Sequence, residues 1–302
     1  MFRSRRSRVF PRTRLASGAA ITILASLGLA ACAGDKKHPA PTQSAVSQGF
    51  GHVHGIGVDP ADGAVYVGAH HGVFRVAGPG QAVRVAGRVQ DTMGFAVIGP
   101  RTFLASGHPA ITEISKGVAP HLGLIRSEDA GNTWTAVSEQ GRGDFHSIQP
   151  AGRNLYVHDN QTGHVRRSGD QGRTWVLGAR LEAVDLAAGR DRPDRVYATT
   201  PQGVQVSDDG GTTFKTVVRT PVLTHLDVTG GGLVGVDPEG RTYASRPDGS
   251  GWQARGRVPG AQVSAFTAVD DRRLLAAVDE GTLYESRNGG YDFTLLYRPP
   301  TR

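Results

Sequence analysis

Cysteine is nearly missing from this chain: one residue among 302, at position 32. No internal disulfide can form, so the fold must be held by a buried core. Acid is missing altogether from residues 1–31, where six arginines (Arg3, Arg5, Arg6, Arg8, Arg12, Arg14) stand ahead of a short apolar run ending in Leu29-Ala30-Ala31-Cys32. A cationic head, a brief apolar stretch and a small-residue end describe an export signal; about 17 residues interrupted by Ser17, Gly18, Thr22 and Ser26 make a marginal membrane span. A basic excess is missing too once that signal is removed. The formal charge of +7 falls to +1, which excludes nucleic acid as a partner.

The L-A-A-C sequence resembles the lipobox of bacterial lipoproteins, which implies cleavage before Cys32 and lipidation of its thiol. Ser4-Arg5-Arg6 looks like part of a twin-arginine signal, although Arg8 stands where that pattern wants an apolar residue, so both export routes stay open. Residues 33–48 are polar, with Pro and Ser and no apolar periodicity, and read as a tether. Three segments follow: a signal at 1–31, lipidated Cys32 with a tether at 32–48, and one folded domain at 49–302, anchored outside the bacterial cytoplasmic membrane. A monomer is expected, since no oligomer signal is visible.

The folded part repeats itself. S-E-D-A-G-N-T-W (residues 127–134), S-G-D-Q-G-R-T-W (168–175) and S-D-D-G-G-T-T-F (207–214) are followed by two worn copies, S-R-P-D-G-S-G-W (245–252) and S-R-N-G-G-Y-D-F (286–293). Their starts lie 41, 39, 38 and 41 residues apart. A period near forty in a strand-rich chain indicates propeller blades. Asp129, Asp170 and Asp209 can each accept backbone N–H groups inside a tight turn, Gly131, Gly172 and Gly211 supply positive φ, and the closing ring packs on the sheet. These aspartates read as structural.

Four strands per repeat are legible, in the first at residues 54–58, 64–69, 72–76 and 82–86. First-strand anchors fall at His54, Met93, His146, Asp185, His225 and Phe266, spaced by 39, 53, 39, 40 and 41. That spacing predicts an all-β, six-bladed propeller with about thirteen extra residues in the second blade; a seventh blade built from the termini stays open.

Histidine marks one face. His52, His54, His146 and His225 begin first strands, and His70, His71, His108, His158 and His164 flank the turn between second and third strands. Both places open onto the same end of a propeller's channel, and the insertion at 107–124, which carries His121, is expected to lie over it. Two residues ahead of the anchors stand His52, Asp91 and Asp144, predicted to form a neighbouring layer. Imidazole with carboxylate suits a transition metal, zinc or copper by ligand type. The candidate ligands are His52, His54, His70, His71, His108 and His146. Each imidazole could equally cap a turn or satisfy a buried carbonyl, and a protein or glycan ligand in the envelope is the alternative occupant.

The repeated motif is that of the Asp-box, or BNR, repeat of sialidase-like propellers. With H-V-H-G-I-G-V-D-P (52–60), M-G-F-A-V-I-G-P (93–100) and F-L-A-S-G-H-P (103–109), the chain resembles bacterial lipoproteins labelled glycosyl hydrolase or exo-sialidase-like BNR proteins. That resemblance implies a sialidase-like propeller and raises glycoside hydrolysis. The same repeat also serves photosystem assembly factors and sortilin-type receptors, so the fold leaves activity open. A sialidase needs an arginine in an R-I-P-like stretch of the first blade; H-V-H-G-I-G stands there and R-I-P occurs nowhere. A broader exo-glycosidase would need two carboxylates across the channel mouth, for which Asp91, Asp144 and Asp185 are eligible.

Overall fold

The computed structural model describes residues 49–260, 262–278 and 281–300. The signal, the tether and Cys32 lie outside the described residues.

Twenty-four strands form six four-stranded antiparallel sheets, each from consecutive strands. Blade one is β1 (Val53–Val58), β2 (Val65–Ala69), β3 (Gly72–Gly78) and β4 (Gln81–Arg84). Blade two is β5 (Asp91–Gly99), β6 (Thr102–His108), β7 (Leu124–Ser127) and β8 (Thr135–Ser138), with one helical turn, α1 (Ile111–Ile114), between β6 and β7. Blade three is β9 (Phe145–Ala151), β10 (Asn154–Asp159), β11 (His164–Ser168) and β12 (Val176–Arg180). Blade four is β13 (Asp185–Ala188), β14 (Val196–Thr200), β15 (Gly203–Ser207) and β16 (Lys215–Thr216). Blade five is β17 (His225–Thr229), β18 (Gly232–Val236), β19 (Arg241–Ala244) and β20 (Gln253–Arg257). Blade six is β21 (Val263–Ala268), β22 (Leu274–Val278), β23 (Thr282–Ser286) and β24 (Thr294–Tyr297). The described residues form a six-bladed β-propeller.

Burial follows the radial order of the strands. Second strands such as VYVGA in β2, GLVGV in β18 and LLAAV in β22 are buried along their whole length, because neighbouring blades cover both faces. Small residues there let the blades approach each other near the axis. At Gly94 of β5 an added Cβ would sit 2.2 Å from the Phe145 carbonyl oxygen, so the first strands of blades two and three meet backbone to side-chain position. Outer strands are largely solvent-facing.

The ring closes by packing, without exchange of a strand. Blade one lies against blade six, and Phe50, fully buried ahead of β1, stacks on Tyr297 of β24 with ring centroids 4.7 Å apart and meets Phe74 at a tilt of 57°, centroids 4.8 Å apart. Burying one aromatic ring of this size contributes about 2–3 kcal/mol.

The repeated turn joins third and fourth strands. In blade three the Ser168 hydroxyl accepts from the Gly172 N–H (2.7 Å) and donates to Asp170 Oδ1 (2.8 Å). Asp170 in turn accepts from the Thr174 N–H (2.9 Å) and the Thr174 hydroxyl (2.7 Å). Blades two and four repeat the arrangement with Ser127, Asp129 and Thr133 and with Ser207, Asp209 and Thr213. Gly172 has φ +86°, the left-handed region that glycine enters without strain. These aspartates spend their oxygens on their own turns, as the sequence predicts.

Candidate functional site

First strands run from one end of the axial channel to the other. Their beginnings share an end with the β2–β3 type of turn, and the Asp-rich turns lie at the opposite end. The channel holds about 440 Å³, with His54, His146, Asp185 and His225 in its wall.

Most of the sequence-predicted residues gather at that mouth around two carboxylates. Asp91, the first residue of β5, has His70 Nδ1 at 3.0 Å from Oδ2 and His54 Nε2 at 3.8 Å from Oδ1. His52 Nδ1 lies 3.4 Å from His54 Nδ1. Asp144, just ahead of β9, has His146 Nε2 at 3.1 Å from Oδ2 and His108 Nε2 at 3.9 Å from Oδ1. His71 turns away and engages the Gly49 carbonyl at 2.9 Å, tying down the start of the domain beside the mouth.

His121 was placed by sequence only within the insertion, and it proves part of the site. Ligating atoms of His108, His121 and Asp144 all lie within 4.8 Å of one another. The insertion folds back as a closed loop: the Leu122 N–H donates to the Gly107 carbonyl (2.8 Å) and His108 Nδ1 contacts the Pro120 carbonyl (2.9 Å). The signal was present in the flanks. An excursion leaving at Gly107-His108 and returning at His121-Leu122 must pair its base, which sets one imidazole against the other. Gly107 (φ +142°) permits this, since a Cβ there would be 2.1 Å from the Asp91 carbonyl oxygen.

Electrostatics separate the groups. Burial pushes the Asp144 carboxyl up, but the His146 hydrogen bond and the fields of His146, His108 and His121 outweigh it and hold the carboxyl below the ordinary range. Burial, helped by the neighbouring His52, His146 and His70, drives His54 down to about 3, so its ring is neutral at physiological pH. Two polar atoms of the Asp144 cluster, Asp144 Oδ1 and His121 Nδ1, are buried without a hydrogen-bond partner, and Asp91 Oδ1 is a third such atom at the mouth.

The anchor register needs correction in three blades. His54, Met93 and His146 occupy β-bulges, and the bulge of blade six falls at Ser264, while Phe266 enters the core. In blades four and five the irregular position falls one residue ahead of the anchors, at Val184 and Thr224, whose N–H groups donate to the Thr199 and Val236 carbonyls (2.8 Å each), while Asp185 and His225 are the residues paired with Thr199 and Val236. Asp185 is thereby taken out of the carboxylate set at the mouth. Its oxygens accept the Leu186 N–H (2.9 Å), the Ser147 hydroxyl (3.4 Å) and the Leu226 N–H (3.1 Å), tying blade four to its neighbours. Asp227, which sequence did not single out, binds the Ala268 N–H (2.9 Å) the same way between blades five and six. Burial raises Asp185 to about 7 and Asp227 to about 6, and lowers His225 to about 4.

No family model and no curated protein matches the chain. Solved structures do. A GH74 enzyme from Niastella koreensis aligns at TM-score 0.56 and 16% identity over 82% of this chain and 46% of its own. YCF48 bound to a D1 peptide aligns at 0.51 and 14% over 82% and 83%, and a chain of the nidogen–laminin complex at 0.58 and 13% over 78% and 93%. The chain spans less than half the length of the GH74 enzymes it matches. At these identities the likeness is one of fold.

Proposed function

We propose that this chain is an exported, lipid-anchored Asp-box propeller that binds a transition-metal ion, zinc or copper by ligand type, through His108, His121 and Asp144, with His146 beside them. The carrying observation is the pair of orphaned atoms. A buried acceptor and a buried ring nitrogen, both unpartnered, cost on the order of 1–3 kcal/mol each. A cation bound by Asp144 Oδ1 and His121 repays that cost, and the third donor, His108, already lies within reach. His146 donating to the other Asp144 oxygen would orient the carboxylate, as outer partners of metal ligands do. The lipid on Cys32 would keep the domain at the membrane, within reach of envelope proteins and glycans.

An exo-glycosidase using Asp91 and Asp144 is the rival. Asp185 does not support it, since its oxygens are committed to neighbouring N–H and hydroxyl groups. The full chain, purified in detergent and titrated with zinc or copper(II) against a competing chelator, decides between them. The expected result is one tightly held ion whose affinity falls on the order of 100-fold in His121→Ala and in Asp144→Asn. No stoichiometric ion, together with release of sugar from a glycan panel that Asp144→Asn abolishes, would overturn the metal reading in favour of the enzyme.

A further inference from the structure

The clusters around Asp91 and Asp144 are the same positions of successive blades. The ladder shows it directly: the His70 N–H donates to the His52 carbonyl, Asp91 pairs with His108, and the Asn160 N–H donates to the Asp144 carbonyl. His52, Asp91 and Asp144 are therefore one position in blades one, two and three. His54, Met93 and His146 are the bulged position two residues on, and His70, His108 and Asn160 the position across the ladder. The Asp144 cluster takes His108 from one blade and its carboxylate from the next. The Asp91 cluster takes His54 and His70 from one blade and its carboxylate from the next, rotated by one blade. The series then changes: blade three offers Asn160 in place of an imidazole across the ladder, and the acid at this position of blade four, Glu182, is exposed.

We propose that the mouth holds a second transition-metal ion, on Asp91 with His54 and His70. The inference rests on the same chemistry as the Asp144 centre and adds a site to it. Two donors on one tetrahedral ion at about 2.0–2.2 Å stand roughly 3.3 Å apart. Separations among the proposed donors here are 3.0 Å for His70–Asp91 and 3.8 Å for His54–Asp91. The His70 contact accounts for one Asp91 oxygen; the other, Oδ1, is buried and has no partner. His54 meets Asp91 through Nε2 and His52 through Nδ1; with an ion on Nε2, the proton would sit on Nδ1 and point at His52.

The two centres differ in how far they are assembled. At Asp144 three donors already converge, one of them delivered by the insertion. At Asp91 the two imidazoles stand on separate oxygens, and His70, whose side chain is 56% exposed, must rotate to close on an ion. The Asp91 centre therefore binds more weakly and fills second.

The test is a zinc titration of the full chain in detergent, with bound metal counted by elemental analysis and circular dichroism confirming the fold of each variant. Two ions per chain in two affinity classes are expected. Asp91→Asn and His70→Ala should each leave one ion, the tighter; His121→Ala should leave one, the weaker; His164→Ala, outside both clusters, should keep two. A single ion untouched by Asp91→Asn but lost with His121→Ala would overturn the second centre and leave the Asp144 reading standing. A single ion lost in folded Asp91→Asn and folded His121→Ala alike would mean one shared site and overturn the two-centre scheme. No ion at all would overturn both readings.

Discussion

Asp170 and Asp144 are the same side chain at opposite ends of one ring. Asp170 sits in a turn at the rim, where Thr174 through its hydroxyl and N–H, and then Ser168, hold its carboxyl down to about 2. Every feature of its surroundings is answered locally, within six residues of chain. Asp144 is buried at the mouth, receives one hydrogen bond from His146, and keeps an oxygen with nothing to accept from. Asp185 is a third case, buried in the channel wall and answered by the next blade. An aspartate whose oxygens are satisfied by its own turn or by a blade junction belongs to the fold. One held among imidazoles with an oxygen left over is poised for something that arrives from outside.

Substitutions sharpen that contrast, the largest at the mouth. Asp144→Asn or His121→Ala should cost on the order of 100-fold in ion affinity, and His121→Ala, which removes an unpartnered buried nitrogen, should leave the melting temperature of the ion-free protein unchanged or raised, as calorimetry would show. A comparable loss from a rim variant would erase the distinction. Ser168→Ala should do the reverse: two buried N–H contacts and the orienting bond to Asp170 disappear, about 1–3 kcal/mol is lost in denaturant unfolding, and ion binding holds. Asp185→Asn tests the third case through pH. Raised to about 7 in the folded protein against an ordinary 3.8, Asp185 keeps its proton where the unfolded chain has released it. Its contribution is fully present below about pH 4 and is lost as the pH rises through about 7, so the variant should flatten the stability profile across that window. Smallest of all, His71→Ala should change ion affinity by less than about twofold, because its Nδ1 engages the Gly49 carbonyl instead of the clusters.

Much of the ring was legible in the chain because each repeated turn needs Ser, Asp and Gly at fixed offsets, and those offsets recur every forty residues or so. The blade count was less so. Blade one carries no such turn, and the closure is made by Phe50 and Tyr297, two rings at the two ends of the domain that carry no motif. The convergence of His54, His70, His108 and His146 on one end followed from topology alone. What periodicity could not show was where each bulge falls: it is at His54, Met93, His146 and Ser264 in blades one, two, three and six, and at Val184 and Thr224 in blades four and five, one residue ahead of Asp185 and His225. Asp185 looks like a partner of Asp144 in the string and is a blade fastener in the fold. His121 was legible only in part: its place at the returning end of the insertion, thirteen positions after His108, was visible, but its contact with His108 depends on how the base of the loop closes.

The central claim is most directly met by anomalous diffraction at the zinc edge from crystals of the protein grown with zinc. The account predicts a peak bonded to His121, His108 and an Asp144 oxygen at about 2.0–2.2 Å. A map with density at the rim aspartates and only water between His121 and Asp144 would contradict it.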